Sequence, residues 1–316
     1  MSTFIVRRIG LALVQLLLVC VLVFAMLRLI PGDPVLVILG SEHTPPPEAI
    51  AAVREKLGLN KPLVVQFVDW FRNPARLDLS KSLVDGYPVA DEVFSRLPRT
   101  LELVVAAIVT ASVVGIPAGI GAALRRNSLA DRMLSAGLSL GLALPTYVIG
   151  TILVLIASVQ FRLLPGGGYT PIDEGLVRHL TRLVLPTVAL AIGLAAVIGR
   201  MSRSAILEVT SEDYIRTARA KGLPPRMVIY KHALRNALIP IITVIGIQFG
   251  TLIGGTVLVE NIFNWPGLST LLVVAARRRD YPMVQGAVLT AAVLVVGVQM
   301  VIDLLYAVAN PKLRYS

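Results

Sequence analysis

Six stretches of the sequence carry almost no charge over about 20 residues each, and they constrain the fold more than any other feature. They cover residues 9–27, 103–124, 133–161, 183–199, 237–259 and 283–302. A hydrocarbon core about 30 Å thick requires about 20 apolar residues, because a helix rises 1.5 Å per residue. Each run meets or nearly meets that length. The sequence therefore predicts an all-α, polytopic membrane protein with six transmembrane helices.

The composition excludes several other classes of protein. A net charge of +11 could suggest a nucleic-acid partner, but 55% of the residues are hydrophobic and only 16% are charged. Basic nucleic-acid-binding proteins and disordered chains carry more charge and fewer apolar residues. One cysteine and three histidines leave little material for a metal site. We therefore expect a lipid bilayer as surroundings, no nucleic acid and no metal.

The distribution of Lys and Arg predicts the orientation of the spans. With the N-terminus in the cytosol, the inner segments hold 15 Lys and Arg residues, against six in the two short outer segments, 162–182 and 260–282. Short cytosolic segments are normally enriched in these residues. Both termini are thus predicted to be cytosolic. The run Arg277, Arg278 and Arg279 on the outer side opposes this interpretation.

The outer segments divide the chain into predicted domains. Residues 1–30 comprise the N-terminal segment and the first transmembrane helix, 31–99 an extracytoplasmic cap, and 100–316 a core that holds the other five spans, a loop at 200–236 and a segment at 262–281. The cap is predicted to hold one helix from the prolines at 45–47 to Leu57, and a second from Pro62. An apolar face on the second cap helix packs on the bundle or the membrane interface, or is presented to a partner; it comprises Leu63, Phe67, Trp70 and Phe71. Residues 266–276 are too few to span, so a re-entrant and an interfacial helix both remain open.

A few polar and small residues at membrane depth suggest further roles. Thr243, Gln248 and Thr251 on the fifth span either line a substrate pathway or hydrogen-bond to a neighbouring helix. Arg28 and Glu102 fall at similar depth, so they form an ion pair or extend separately to the interface. Glycine pairs at 115/119 and 137/141 and the triple run at 246, 250 and 254 permit close helix approach, and only the triple run is a persuasive signal, because chance supplies many such pairs.

The cytosolic segment 200–236 is predicted to form two helices. Ser211, Glu212 and Asp213 favour a helix start, because acidic residues are stabilised near the positive end of the helix dipole. Gly222 is predicted to end this helix, and the prolines at 224 and 225 begin the next. The resulting helix-turn-helix has a basic surface, as expected of a structure that engages a partner.

Five motifs, taken in their order along the chain, resemble those of a known family. The sequence Asp-Tyr-x-Arg-Thr-Ala-Arg-Ala-Lys-Gly at 213–222 and His-x-Leu-Arg-Asn-Ala-x-x-Pro at 232–240 are similar to the cytoplasmic EAA loop of ABC importer permeases in the peptide/nickel branch. The other matches are Pro-Gly-Asp-Pro at 31–34, the residues at 88–89 and 96–98, the stretch from Glu260 to Pro282, and Asn-Pro-Lys-Leu-Arg-Tyr at 310–315. Arg216, Thr217 and Ala218 stand where the wider family has Glu-Ala-Ala, and Arg235 replaces a proline. These departures weaken any transfer from sugar permeases.

The resemblance implies a type I ABC importer permease fold in a prokaryotic plasma (inner) membrane. It implies a non-catalytic subunit that works with a second homologous permease, two ABC ATPase subunits and an extracytoplasmic solute-binding protein. ATP and Mg are expected on the partner ATPases, with no cofactor on this chain. The cargo would be peptides of the di-/oligopeptide or glutathione type, or alternatively nickel or another small solute. The implied ATPase-coupling residues are Glu212, Asp213, Tyr214, Arg216, Thr217, Ala218, Arg219, Ala220, Lys221 and Gly222.

Two rival functions make different demands on the sequence. A self-contained channel or secondary carrier that uses ion gradients would have intramembrane ionisable residues, and a chain of carboxylates is missing from the spans. An intramembrane hydrolase requires a nucleophile beside a base, and the serines at 112, 139 and 158 have no such neighbour in sequence. The sequence also lacks the Gly-x-x-x-x-Gly-Lys-Ser/Thr pattern that cradles nucleotide phosphates, so an importer must receive its energy from a partner.

Overall fold

The computed structural model of the chain describes residues 2–29, 35, 46–56, 58–75 and 78–309, and helices dominate this part. The helices are α1 (Ser2–Leu29), α2 (Pro47–Lys56), α3 (Leu63–Ala75), α4 (Val89–Leu124), α5 (Leu129–Ala143), α6 (Thr146–Leu153), α7 (Leu176–Thr210), α8 (Asp213–Ala220), α9 (Leu234–Gly255), α10 (Val257–Ile262), α11 (Leu268–Arg277) and α12 (Tyr281–Ala309). The all-α prediction is confirmed. The motifs at 31–34 and 310–315, Pro45 and Leu57 lie outside the described residues.

The apolar helices confirm six spans, with one correction. Five helical stretches are long and apolar enough to cross a membrane alone, and a sixth crossing exists if α5 and α6 are taken as one span. The run 133–161 was expected to be a single helix, but these two helices are bent by 96°. Pro145 lies at the break, since proline lacks the N–H that a continuous helix requires and disfavours a helical residue before it. Pro186 and Pro240, in contrast, lie inside continuous helices.

Two stretches of the chain form π-helix, in which each N–H bonds five residues back instead of four. Val154–Gln160 continues α6, and Val228–Ala233 leads into α9. At the second site the N–H of Leu234 donates to the carbonyl of Ile229. The buried residues nearby are Val228, Ala233, Ala237 and Ile241. Their spacing is five across the π turn and four thereafter, so the extra residue keeps one face of the helix buried.

The chain divides into two compact units, and the first, called unit one, comprises Met1–Arg99 and Gly267–Gly297. Its core includes Val89, Val93, Leu271 and Met283. The two predicted cap helices are confirmed as α2 and α3. Aromatic residues join α3 to α1: the ring centroids of Phe67 and Trp70 lie 5.3 and 5.9 Å from that of Phe24. The apolar face of α3 is thus packed on the first helix at these two residues.

The short helix α11 also belongs to unit one. Its ten residues would extend only about 15 Å, half the thickness of the hydrocarbon core, so it does not cross the membrane. Leu268, Leu271 and Ala275 are buried in the core that also contains Met283 and Ala287. The choice between a re-entrant and an interfacial helix stays open.

The second unit, called unit two, comprises Thr100–Pro266 and Val298–Ser316. Here α4 and α7 are in close backbone contact, since a Cβ at Gly115 would lie 2.7 Å from the carbonyl oxygen of Ala195, and a Cβ at Gly119 would lie closer still to that of Gly199. Gly246 contacts the side chain of Ile302, but a Cβ at Gly254 would meet nothing within 4 Å. The predicted close approach is thus present at 115/119, and in the triple run at Gly246 but not at Gly254, because contact depends on which helix lies opposite.

Candidate functional site

The helix α8 presents the predicted coupling residues on a surface of unit two. Residues 212–214, 216, 217 and 219–222 are exposed, while Ile215 and Ala218 are buried. These two side chains belong to a core that also contains Ile206 of α7 and Ala237 of α9. Positions 215 and 218 are three residues apart, so they lie on the same face of the helix. One face of α8 is therefore anchored in the protein and the other faces outward.

Gly222 ends α8 through a specific backbone conformation. Its φ is +75°, in the left-handed region that glycine adopts without a Cβ clash. The N–H of Gly222 donates to the carbonyl of Arg219 at 2.9 Å, and the N–H of Leu223 donates to that of Ala218 at 3.4 Å. This pair of bonds is the Schellman motif, which satisfies carbonyls left free at a helix end. The predicted stop at Gly222 is confirmed.

The start of α8 differs slightly from the prediction. Glu212 takes the N-cap position with extended backbone, and Ser211 instead ends α7, where its hydroxyl donates to the carbonyl of Glu208 at 2.6 Å. Asp213 lies in the first turn and Arg219 in the last, so both charges complement the helix dipole. Asp213 and Arg216 form an ion pair at 3.2 Å, but both side chains are largely exposed. That pair contributes little, because water screens it.

A hydrogen bond joins α8 to the base of α9. The side-chain amide of Asn236 donates to the hydroxyl of Tyr214 at 2.6 Å, and it also donates to the carbonyl of His232 at 3.3 Å. The sequence analysis had placed Tyr214 in the coupling surface but had not connected it with Asn236. Together with buried Ile215 and Ala218, this bond ties α8 to the start of the fifth span.

The surface around α8 is basic. Residues 200–236 contain eight Lys and Arg residues against three acids, Glu208, Glu212 and Asp213. Arg219, Lys221 and Arg226 are exposed. An exposed basic surface attracts an acidic partner and increases the rate of association.

An ion pair missed by the sequence analysis links two helices near the same surface. Arg203 of α7 donates from Nε and Nη2 to the two carboxylate oxygens of Asp131, both at 2.8 Å. The backbone N–H of Asn127 and the hydroxyl of Ser135 also donate to Asp131. Such a bidentate pair has fixed geometry. It holds the start of α5 against α7, 72 residues further along the chain.

The predicted pathway residues lie on α9 with their hydroxyls bonded within the helix. Thr243 donates to the carbonyl of Ile239 at 2.9 Å, and Thr251 donates to that of Ile247 at 3.1 Å. Neither hydroxyl depends on a neighbouring helix. Gln248 is partly exposed on the same helix. A role for these three residues in a substrate pathway stays a prediction.

Arg28 and Glu102, for which an ion pair and separate extension to the interface were both left open, each have a polar partner within their own unit. Glu102 contacts Nε2 of His179, whose Nδ1 lies 2.6 Å from the carbonyl oxygen of Thr170. Arg28 donates to the side-chain oxygen of Gln66 at 2.8 Å. Equal depth along two helices does not determine which way their side chains point, and the sequence offered no partner signal for His179.

A second polar cluster surrounds Glu260, which is fully buried in unit two. The hydroxyls of Thr100 and Thr256 donate to its Oε1 at 2.8 and 3.2 Å. Trp265 is also buried, and its backbone N–H donates to the carbonyl of Glu260 at 2.7 Å. Tyr169 packs edge-on against Trp265 with ring centroids 4.9 Å apart. Glu260 and Trp265, which follow α9, thus belong to a buried polar and aromatic cluster.

Comparison with known proteins adds to this geometry. Residues 115–315 match the family described as "Binding-protein-dependent transport system inner membrane component", and residues 1–104 match the family of its N-terminal part. The Di/tripeptide transport system permease protein DppB of Pseudomonas aeruginosa (strain UCBPP-PA14) is 44% identical over the full length of both chains. The Glutathione transport system permease protein GsiC of Escherichia coli O6:H1 is 39% identical, also over both full lengths.

A solved structure shows the same fold. An inward-facing conformation of the MetNI methionine ABC transporter aligns with a TM-score of 0.58 and 21% identity, over 69% of this chain and 96% of the other. At this identity the likeness concerns the fold alone. It confirms the predicted importer fold class.

Proposed function

The chain belongs to the family of binding-protein-dependent transport system inner membrane components, and on this premise we propose that it is the permease subunit of an ATP-driven peptide importer. The observation that carries the proposal is α8, a short helix with an exposed basic face and a buried face anchored by Ile215 and Ala218. A helix held in this way transmits a push from outside the protein to the helices behind it. Relatives named as di/tripeptide and glutathione permeases support a short peptide as cargo.

In this proposal α8 rests in a groove of a partner ATPase subunit. Arg219 and Lys221 face acidic groups there, and Gly222 sets the turn that follows. The partner binds ATP and Mg and carries out hydrolysis, while this chain supplies the path. A second permease and an extracytoplasmic solute-binding protein complete the assembly.

Movement of α8 would be transmitted through contacts already described. Ile215 and Ala218 share a core with residues of α7 and α9, and the Asn236–Tyr214 bond joins α8 to the base of α9. ATP-driven closure of the ATPases would therefore shift α7 and α9 together and switch the pathway from inward-facing to outward-facing. Such alternating access requires partner contacts that differ in strength between the two states. Thr243, Gln248 and Thr251 are proposed to line that pathway.

The proposal is tested by charge reversal on α8 in the reconstituted transporter. Arg219→Glu is expected to lower ATP-dependent dipeptide uptake at least about tenfold, because a like charge would face the acidic partner. Arg132→Glu makes the same change at an exposed position outside α8 and should transport normally. Purification from the native host should also recover an ATPase subunit with the wild-type chain. Normal uptake with Arg219→Glu, or purification without any ATPase, contradicts the proposal.

A further inference from the structure

Unit one contains a cleft of about 380 Å³ between the end of α1, the cap helices α2 and α3, and the start of α12. This volume lies in the range of about 300–1,000 Å³ that is typical of small-molecule sites. Phe24, Trp70 and Tyr281 supply aromatic walls, while Arg28, Gln66 and Gln285 supply polar groups. A mostly apolar cleft with a few polar groups is the usual form of a ligand site.

Gln285 adds an amide to the polar groups of the cleft. Only 6% of the residue is exposed, and it is one of the residues that line the cleft. The side-chain amide offers two N–H donors and one acceptor to whatever occupies the cleft.

Arg28 is a partly buried cation in the same cleft. Its Nη2 donates to the side-chain oxygen of Gln66 at 2.8 Å, and its Nη1 lies 3.3 Å from the carbonyl oxygen of Phe24. Its guanidinium carbon lies 3.5 Å from the centre of the Phe24 ring. Both acceptors are neutral, and within the described ranges the guanidinium has no carboxylate partner. A ligand carboxylate is the group that best complements such a guanidinium.

A carboxylate is available in the same cleft for a ligand cation. Two acidic residues line it, Glu55 and Asp69. Asp69 is already paired with Lys61 at 2.8 Å. Glu55 is exposed, and among the described residues its side chain has no partner. It is therefore free to bind an ammonium group.

We propose that this cleft binds a short peptide with both ends free: its α-carboxylate on Arg28 and Gln285, its α-ammonium at Glu55, and an apolar side chain against the aromatic walls. The choice of a peptide over other zwitterions rests on the proposed function. The site lies in unit one, whereas the pathway residues proposed above belong to unit two.

The test measures binding of L-alanyl-L-phenylalanine to the full chain in lipid nanodiscs by isothermal titration calorimetry. The C-terminal amide of the same dipeptide should bind about 10–100-fold more weakly, because it cannot form a charge-assisted bond to Arg28. The N-acetyl derivative should also bind more weakly. The chain has only two tryptophans, so a fluorescence change that disappears in Trp70→Phe would place the ligand in the cleft.

Two variants with matched controls localise the contacts. Arg28→Gln should bind the acid and the amide equally, whereas Arg72→Gln, an exposed charge on α3 outside the cleft, should discriminate as the wild type does. Gln285→Leu should weaken binding severalfold while keeping or raising the melting temperature, since it places an apolar side chain at a largely buried position. Gln299→Leu, an exposed glutamine on α12, should leave binding unchanged. A raised melting temperature with weaker binding also excludes misfolding as the cause.

The outcomes separate this inference from the proposed function. Equal affinity of the wild type for the acid and the amide, or wild-type affinity in Arg28→Gln, overturns the cleft site. Uptake by the reconstituted transporter is measured independently. Uptake without binding to the purified chain overturns only the cleft, and binding without ATP-dependent uptake overturns only the permease role.

Discussion

Substitution of Gly222 provides a graded test of how α8 is held. The residue has a φ of +75°, and a Cβ added there would meet nothing within 4 Å. Alanine at this position would therefore cause no steric clash with neighbours, and the free-energy cost of the substitution is only that of holding a residue with a Cβ in the left-handed conformation. That cost is about 1–2 kcal/mol for a residue with a Cβ.

Three substitutions should follow a fixed order. Asn adopts the left-handed region more readily than other residues with a Cβ, so Gly222→Asn should cost less than Gly222→Ala. Gly222→Pro should cost about 3 kcal/mol or more, because proline fixes φ near −65°. Proline also removes the N–H that donates to Arg219 at 2.9 Å. Opening of α8 should thus become about 5–30-fold more frequent with Ala and more than about 100-fold with Pro.

Hydrogen exchange of the amides in Asp213–Ala220 measures this opening directly. In the reconstituted transporter, the uptake per ATP hydrolysed should fall in the same order, Asn, Ala and then Pro. Amides of α7 next to Gly199 provide the internal control and should exchange as in the wild type. Exchange in Gly222→Pro equal to that of the wild type would refute the role assigned to the Schellman motif. Loss of coupling in the opposite order would refute the link from α8 to transport.

Four further predictions follow from contacts within single units. Asp131→Asn should lower the melting temperature more than Asp213→Asn, because Asp131 holds Arg203 in a bidentate pair whereas Asp213 is 94% exposed; equal shifts would contradict this. Gly115→Ala should destabilise the chain by about 1–3 kcal/mol in denaturant titrations, because the added Cβ would press on α7. The control Gly254→Ala gains the same helix propensity, and its Cβ would meet nothing within 4 Å, so it should be neutral or stabilising. Glu260→Leu should be about 1–3 kcal/mol less stable than Glu260→Gln, because glutamine keeps an acceptor for the hydroxyls of Thr100 and Thr256. Identical unfolding curves for the two variants would count against a stabilising role of these hydrogen bonds. The hydrogen bond from Lys61 lowers the pKa of Asp69, so this pair should contribute to folding stability above about pH 4, and that contribution should be lost as the pH falls further. In Lys61→Met, an NMR titration should show the pKa of Asp69 rising towards its ordinary value.

The sequence predicted the features that depend on local chemistry. Span lengths followed from runs of uncharged residues, and the end of α8 followed from Gly222, because both rules concern a few neighbouring positions. The break between α5 and α6 lies at Pro145, a residue type that disfavours a continuous helix. The 96° angle was not predictable, because it depends on what each helix packs against.

Contacts between distant residues were mostly missed. Asp131 pairs with Arg203, and Glu102 contacts His179, each across more than 70 residues of chain. Depth along a helix can be read from residue counts, but the rotation of the helix about its axis cannot. For this reason Arg28 and Glu102 were matched by depth although each has a different partner. The fold of α8 was predictable in the same sequence because all its determinants lie within about ten residues.

The π-helical turn at Val228–Ala233 has a consequence for how this chain tolerates changes in length. Its extra residue keeps Val228 and Ala233 on the same side as Ala237 and Ile241. Removal of one residue inside the turn would convert it to ordinary α-helix and preserve that alignment, with a spacing of four throughout. Removal of one residue from the α-helix just beyond it would instead turn everything on one side of the gap by about 100° relative to the other. Loss of a single residue is therefore expected to be tolerated at 228–233 and excluded at 234–241, so the turn is where the segment between α8 and the fifth span can shorten without rotating the buried face of that span.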